Sequence, residues 1–137
     1  MKDFKREIQR IASRYGLQMI YVFGSRAKEV LALVEGRIER LSAGPSDLDI
    51  GVKPNKPLTV EEKVRIGLFF EDLFEVNRVD LIVIPEAPVF LALEIVTGEI
   101  LYVHDSSYEA EYQLYIMRQA ADLLPYERMK QRMVMGD

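Results

Sequence analysis

Apolar positions along this chain switch repeatedly between helical and strand spacing. Phe4, Ile8, Ile11 and Tyr15 recur at helical intervals ahead of Gly16, which suits a left-handed helix end, and predict a first helix. The run Met19-Ile20-Tyr21-Val22-Phe23 predicts a strand over residues 18–23. Ala27, Val30, Leu31, Val34, Ile38 and Leu41 then mark an amphipathic helix over residues 27–41, with Lys28, Glu29, Glu35, Glu39 and Arg40 on its polar side. Gly36 weakens its middle and predicts a kink or break there. Gly44-Pro45-Ser46 turns the chain into a second strand over residues 48–53, and Pro54-Asn55-Lys56-Pro57 is read as a loop close to the candidate site.

Thr59 followed by Glu62 forms a capping box that opens the next helix. Val64, Leu68, Leu73 and Val76, with Phe69, Phe70 and Phe74, are expected to supply its buried face. A third strand over residues 78–84 stops at Pro85. A short apolar helix over 89–97 is released by Gly98 into an edge strand over 100–103. From Ser107 onward the pattern predicts one long helix and a terminal one, divided by Pro125. Such alternation predicts an α/β (α+β) fold, a small mixed sheet flanked by helices, with residues 1–137 as one domain and a helical segment over 107–135.

Composition narrows the class. The apolar fraction of 49% and the charged fraction of 29% are those of an ordinary soluble protein. With no cysteine, disulfides and thiolate metal sites are excluded, and a reducing, cytoplasmic setting is expected. The single histidine, His104, cannot build a multi-histidine zinc site and is expected at the surface. Residues 1–7 contain no apolar signal core, and no stretch reaches the roughly twenty apolar residues of a membrane span. A net charge of −4 argues against general affinity for nucleic acid backbones.

The candidate chemistry lies where strands begin and end. Gly24-Ser25-Arg26 closes the first strand, Asp47-Leu48-Asp49 opens the second, and Asp80 begins the third. Acidic residues at i and i+2 of a strand share one face, and their repulsion at the mouth of apolar segments calls for a cation. Magnesium suits such hard oxygen ligands while keeping places for water and phosphate. Gly24 lets a phosphate approach the backbone, Ser25 offers a hydroxyl and an amide, and the helix that follows aims its positive end at an anion. The Gly-Lys-Ser/Thr of a P-loop is absent. Arg26 would either steady a phosphate or form a structural ion pair.

Gly24-Ser25-Arg26-Ala27, Ser46-Asp47-Leu48-Asp49-Ile50 and Val79-Asp80-Leu81 resemble the motifs of the DNA polymerase β-type nucleotidyltransferase superfamily. Within it the chain is most similar to the minimal nucleotidyltransferases, the MNT or MntA-type antitoxins. The likeness continues through Pro85, residues 91–95 and 98–102, and Asp122-Leu123 with Pro125. The resemblance implies transfer of a nucleoside monophosphate, AMP from ATP before other NTPs, to an acceptor hydroxyl with loss of pyrophosphate. Gly24 and Ser25, with Arg26 beside them, would hold the triphosphate. Asp47 and Asp49 would ligate two magnesium ions, and Asp80 would complete the acceptor-side metal site and help deprotonate the hydroxyl. In such relatives the acceptor is a tyrosine of a HEPN-domain toxin, which makes this chain an expected antitoxin with a HEPN partner. Homo-oligomerisation stays open.

Two departures stand out. The interval from Ser25 to Asp47 is longer than is usual in that family, either as an extended helix or as a change on the acceptor or partner side. Lys28-Glu29 also stand where a glycine often follows the Arg-Ala pair. Rival readings are a small-molecule (aminoglycoside-like) nucleotidyltransferase and a non-catalytic antitoxin acting by occlusion. The carboxy-terminal Tyr112, Tyr115, Ile116, Met117, Leu123, Tyr126, Met129, Met133 and Met135 are expected mostly to pack on the core, with a share in partner contact.

Overall fold

A computed structural model describes residues 2–44 and 47–135, for Met135 the backbone alone. Strands β1 (Leu17–Phe23), β2 (Leu48–Pro54), β3 (Val79–Val83) and β4 (Glu99–Val103) form one mixed sheet in the order β3-β2-β1-β4. β1 runs antiparallel to β2 and β4, whereas β2 and β3 are parallel. Parallel neighbours need a crossover, and α3 (Val60–Phe74) supplies it. The other helices are α1 (Phe4–Tyr15), α2 (Ala27–Val34), α4 (Val89–Val96) and α5 (Ser106–Met135). β4 lies at the sheet edge as expected, and Pro45 and Ser46 of the turn before β2 lie outside the described residues.

Strand alternation divides the core in two. Ile20, Val22, Leu48, Ile50 and Val52 pack with Ile8 of α1, Val30 of α2, and Ile66 and Phe70 of α3. Met19, Tyr21 and Phe23 face the other way, against Ala92 and Ile95 of α4 and Ile116 of α5. No helix among the described residues is long and apolar enough to cross a membrane.

Local signals place the helix ends. The Asp3 side chain accepts from the Arg6 amide, and Gly16 at φ +65° closes α1. Thr59 and Glu62 form the reciprocal capping box. The α3 terminus is less favourable, because Glu75 rather than glycine adopts the left-handed conformation at φ +55°. Glu75→Gly should therefore raise stability by about 0.5–1 kcal/mol in urea denaturation, despite loss of the exposed Lys2 ion pair.

Several expectations fail for physical reasons, among them core packing of most of the carboxy-terminal residues, since Tyr115, Met117, Leu123, Tyr126, Met129 and Met133 are exposed. The helix after Gly24 ends at Val34, in the break expected at Gly36, but it does not resume over residues 37–41. Gly36 at φ +78° allows its own N–H to reach Leu33 O and that of Arg37 to reach Ala32 O, the paired bonds of a Schellman stop. On α3, Val64 and Leu68 are more than half exposed, while Ile66, not singled out from the sequence, is fully buried with Phe70. Two apolar stripes compete on that helix, and the one carrying the larger aromatic bulk with Leu73 and Phe74 wins the sheet. Finally, α5 continues through Pro125 as one helix. The distal half is solvent-exposed, so the carbonyl that proline leaves without an N–H partner can be hydrated.

Candidate active site

The end of β1 and the starts of β2 and β3 meet at one end of the sheet. Phe23 is registered with Asp49, which places the following Gly24 turn directly against that carboxylate. Gly24 has φ +80°, and a Cβ added there would collide with Asp49 Oδ2. Backbone conformation and space thus both require glycine at this position. Ser25 is exposed beside it, and the Ala27 amide donates to Gly24 O (3.3 Å) as the chain enters α2.

Asp49 and Asp80 are register partners on the parallel strands β2 and β3. Neighbouring strands present paired residues on the same face, so both carboxylates point the same way. Leu48 and Ile50 fill the core on the α1–α3 side, which turns Asp49 toward the face shared with α4. Burial raises the Asp49 pKa, and the negative charges of Asp80, Asp47 and Glu94 push it further. One cation already answers this repulsion: Arg78 reaches Asp80 Oδ1 at 3.1 Å and Asp47 Oδ2 at 3.6 Å.

As placed, no three acidic or histidine side chains among the described residues stand close enough to form a ready metal cage. The donor set nevertheless has the chemistry a divalent ion requires. It offers hard carboxylate oxygens that are half-exposed and electrostatically coupled, beside a glycine turn. Asp47, Asp49 and Asp80 would hold such an ion.

Arg26 is buried, and its guanidinium donates to Ser42 O (2.8 Å) and pairs with Glu29 (3.3 Å). Burial works against the Glu29 carboxylate, but the Ser42 amide and hydroxyl, together with Arg26, overcome it and lower its pKa. These contacts tie the segment 35–44 back to the first turn of α2 through Ser42. That segment walls a groove of about 1030 Å³ with Phe4, Leu73 and Phe74 opposite. Its apolar floor belongs to the α1–α3 side of the sheet, so the groove lies behind the carboxylates, with Asp47 and Arg78 on its rim.

The 54–57 loop is not near this site. Pro54 pairs with Leu17 at the start of β1, the opposite end of the sheet from Gly24. His104 is exposed, as expected. Sequence reasoning passed over Arg78 and Glu94. Arg78 stands two residues before Asp80, a spacing that puts it on the same face of an extended chain. Nothing local signals Glu94, because its approach to Asp49 depends on how α4 docks.

Chains from several toxin–antitoxin complexes share this architecture. One from a mutant MntA–HpeT toxin–antitoxin superposes with a TM-score of 0.73 at 18% identity, over 96% of this chain and 98% of that one. One from the tri-AMPylated Shewanella oneidensis HEPN toxin in complex with MNT antitoxin gives 0.70 at 19%, over 96% of each chain. One from a toxin–antitoxin with AMP-PNP also gives 0.70 at 19%, over 96% of this chain and 98% of that one. No match was found among curated proteins. The sequence profile described as "Polymerase beta, Nucleotidyltransferase" matches residues 6–107, the span that holds the glycine turn with Asp47, Asp49 and Asp80, and the chain belongs to that nucleotidyltransferase family.

Proposed function

We propose that this chain is a magnesium-dependent nucleotidyltransferase that moves AMP from ATP onto a hydroxyl, with a tyrosine of a HEPN toxin as acceptor. The observation that carries the proposal is the contact of the Gly24 turn with Asp49, itself in register with Asp80. Family membership and the likeness to MNT–HEPN complexes, one of them AMPylated, support the same reading. In it the Gly24–Ser25 backbone and hydroxyl hold the triphosphate at the start of α2. Arg26 positions that turn through Ser42 and Glu29. Two magnesium ions, held by Asp47, Asp49 and Asp80, would supply charge neutralisation for the phosphates.

The acceptor oxygen forms a bond to the α-phosphorus as the bond from that phosphorus to the β-phosphate oxygen breaks, and pyrophosphate leaves. Asp80 accepts the hydroxyl proton. Such transfer depends on positioning and charge neutralisation more than on covalent help from the protein. The setting proposed is cytoplasmic, with the toxin as partner.

Incubation with α-labelled ATP, magnesium and a HEPN partner should label a tyrosine of that partner. Magnesium-dependent ATP should also raise the melting temperature of this chain, because a ligand of the native state stabilises it. Stabilisation by ATP without any labelling would favour toxin neutralisation by occlusion.

The distal half of α5 is proposed as part of the partner contact. Tyr126, Met129 and Met133 are more than half exposed there, whereas Ile116 and Ala120 already anchor the proximal half. Truncation after Leu124 should preserve the fold and weaken toxin binding, measured by co-purification and calorimetry. Unchanged affinity would refute the assignment.

A further inference from the structure

Arg78 is the only basic side chain that the described ion pairs bring to the carboxylates of the site, and it touches two of them, Asp80 of β3 and Asp47 just before β2. Its Nε faces Asp47 at 3.6 Å and its terminal nitrogen faces Asp80 at 3.1 Å. We propose that Arg78 is a resident counter-ion that holds the Asp47–Asp80 side of the site together before a divalent ion binds, and that competes with that ion. The inference rests on the nucleotidyltransferase reading above.

The argument is electrostatic. Asp47, Asp49, Asp80 and Glu94 crowd one end of the sheet, and the burden on Asp49 shows that their charges interact. Without a cation the chain must hold that charge in the folded state. A guanidinium relieves it through two separated donors while remaining protonated at any working pH. It would lose one or both contacts where a divalent ion draws on the same two carboxylates. The Arg78 side chain is 67% exposed and the two carboxylates are 38% and 39% exposed. Ion pairs this wet are weak, so Arg78 can be displaced into solvent or toward the groove on whose rim it lies. A buried arginine would block the ion; an exposed one yields to it.

Calorimetric titration of manganese into the nucleotide-free protein tests this directly, with a chelated control. Arg78→Gln should bind manganese about three- to tenfold more tightly than the wild type, since one competitor for the oxygens is gone. Arg78→Lys should restore wild-type affinity in large part, because it keeps the charge. In an Asp80→Asn background the Arg78→Gln gain should shrink, as expected when the two residues act as a pair. The metal-free Arg78→Gln protein should also melt lower than the wild type, and manganese should close that gap. Equal or weaker manganese binding by Arg78→Gln, with the wild type binding normally, overturns the counter-ion role and leaves the enzymatic reading standing. Failure of both proteins to bind manganese overturns the counter-ion role, and failure to bind it with ATP present overturns the nucleotidyltransferase reading as well.

Discussion

On the proposed mechanism, Asp47→Asn combined with Asp49→Asn should abolish transfer of label from α-labelled ATP, by about a thousandfold or more, because the site would lose the charges assigned to organising the phosphates. The same substitution should leave the protein folded. Asp49 is held above its ordinary carboxylate range by burial, Asp80, Asp47 and Glu94. A carboxyl whose folded pKa is raised works against folding when ionised. That penalty is absent below the unfolded pKa, grows through the acidic range, and is complete above the folded value. Asparagine at position 49 removes it, so the melting temperature at neutral pH should be unchanged or higher. As pH falls, the stability gap between variant and wild type should close. A folded double variant that transfers AMP as fast as the wild type would rule the mechanism out.

The second large effect concerns how α5 is held to the sheet. Tyr21 is fully buried, and its hydroxyl donates to Glu109 Oε2 at 2.5 Å. Gln113 Nε2 donates to the same oxygen at 2.7 Å. Burial and the bond to Glu109 both raise the Tyr21 pKa, so the hydroxyl remains a donor at neutral pH. Tyr112, packed beside Tyr108 and Lys53, is likewise pushed up to about 12, first by burial and then by its tyrosine neighbours. Tyr21→Phe removes one of two donors from a buried carboxylate and should cost about 1–3 kcal/mol. Adding Glu109→Leu should recover part of that loss, since an apolar pair leaves no group unsatisfied. Denaturant unfolding of the three variants measures both steps. A Tyr21→Phe loss below about 0.5 kcal/mol would show that this bond does not secure α5.

Element types were largely legible in the residues because their causes are local. Thr59 with Glu62 opens α3 and Gly16 ends α1 through bonds made within a few residues. The unbroken apolar run of residues 19–23 is a strand buried from both sides. The glycine turn and the acidic pairs could be placed at strand ends for the same reason. What escaped the pattern was decided by competition between distant groups. Val64–Leu68 and Ile66–Phe70 have equal helical spacing, and only the sheet chooses between them. Pro125 reads as a divider, but the exposed helix carries it. Residues 37–41 have helical spacing as well, yet the Gly36 stop and the hold of Arg26 and Glu29 on Ser42 take the chain elsewhere.

Short-range physics therefore gave this chain its helices, strands, caps and the chemistry at strand ends, because periodicity and capping are settled among neighbouring residues. Long-range packing settled the rest. The register of β2 against β3 sets Asp49 beside Asp80, the docking of α4 brings Glu94 toward them, and Arg78 pairs with both Asp80 and the distant Asp47. Those encounters join residues far apart along the chain, and no local pattern encodes a distance in space.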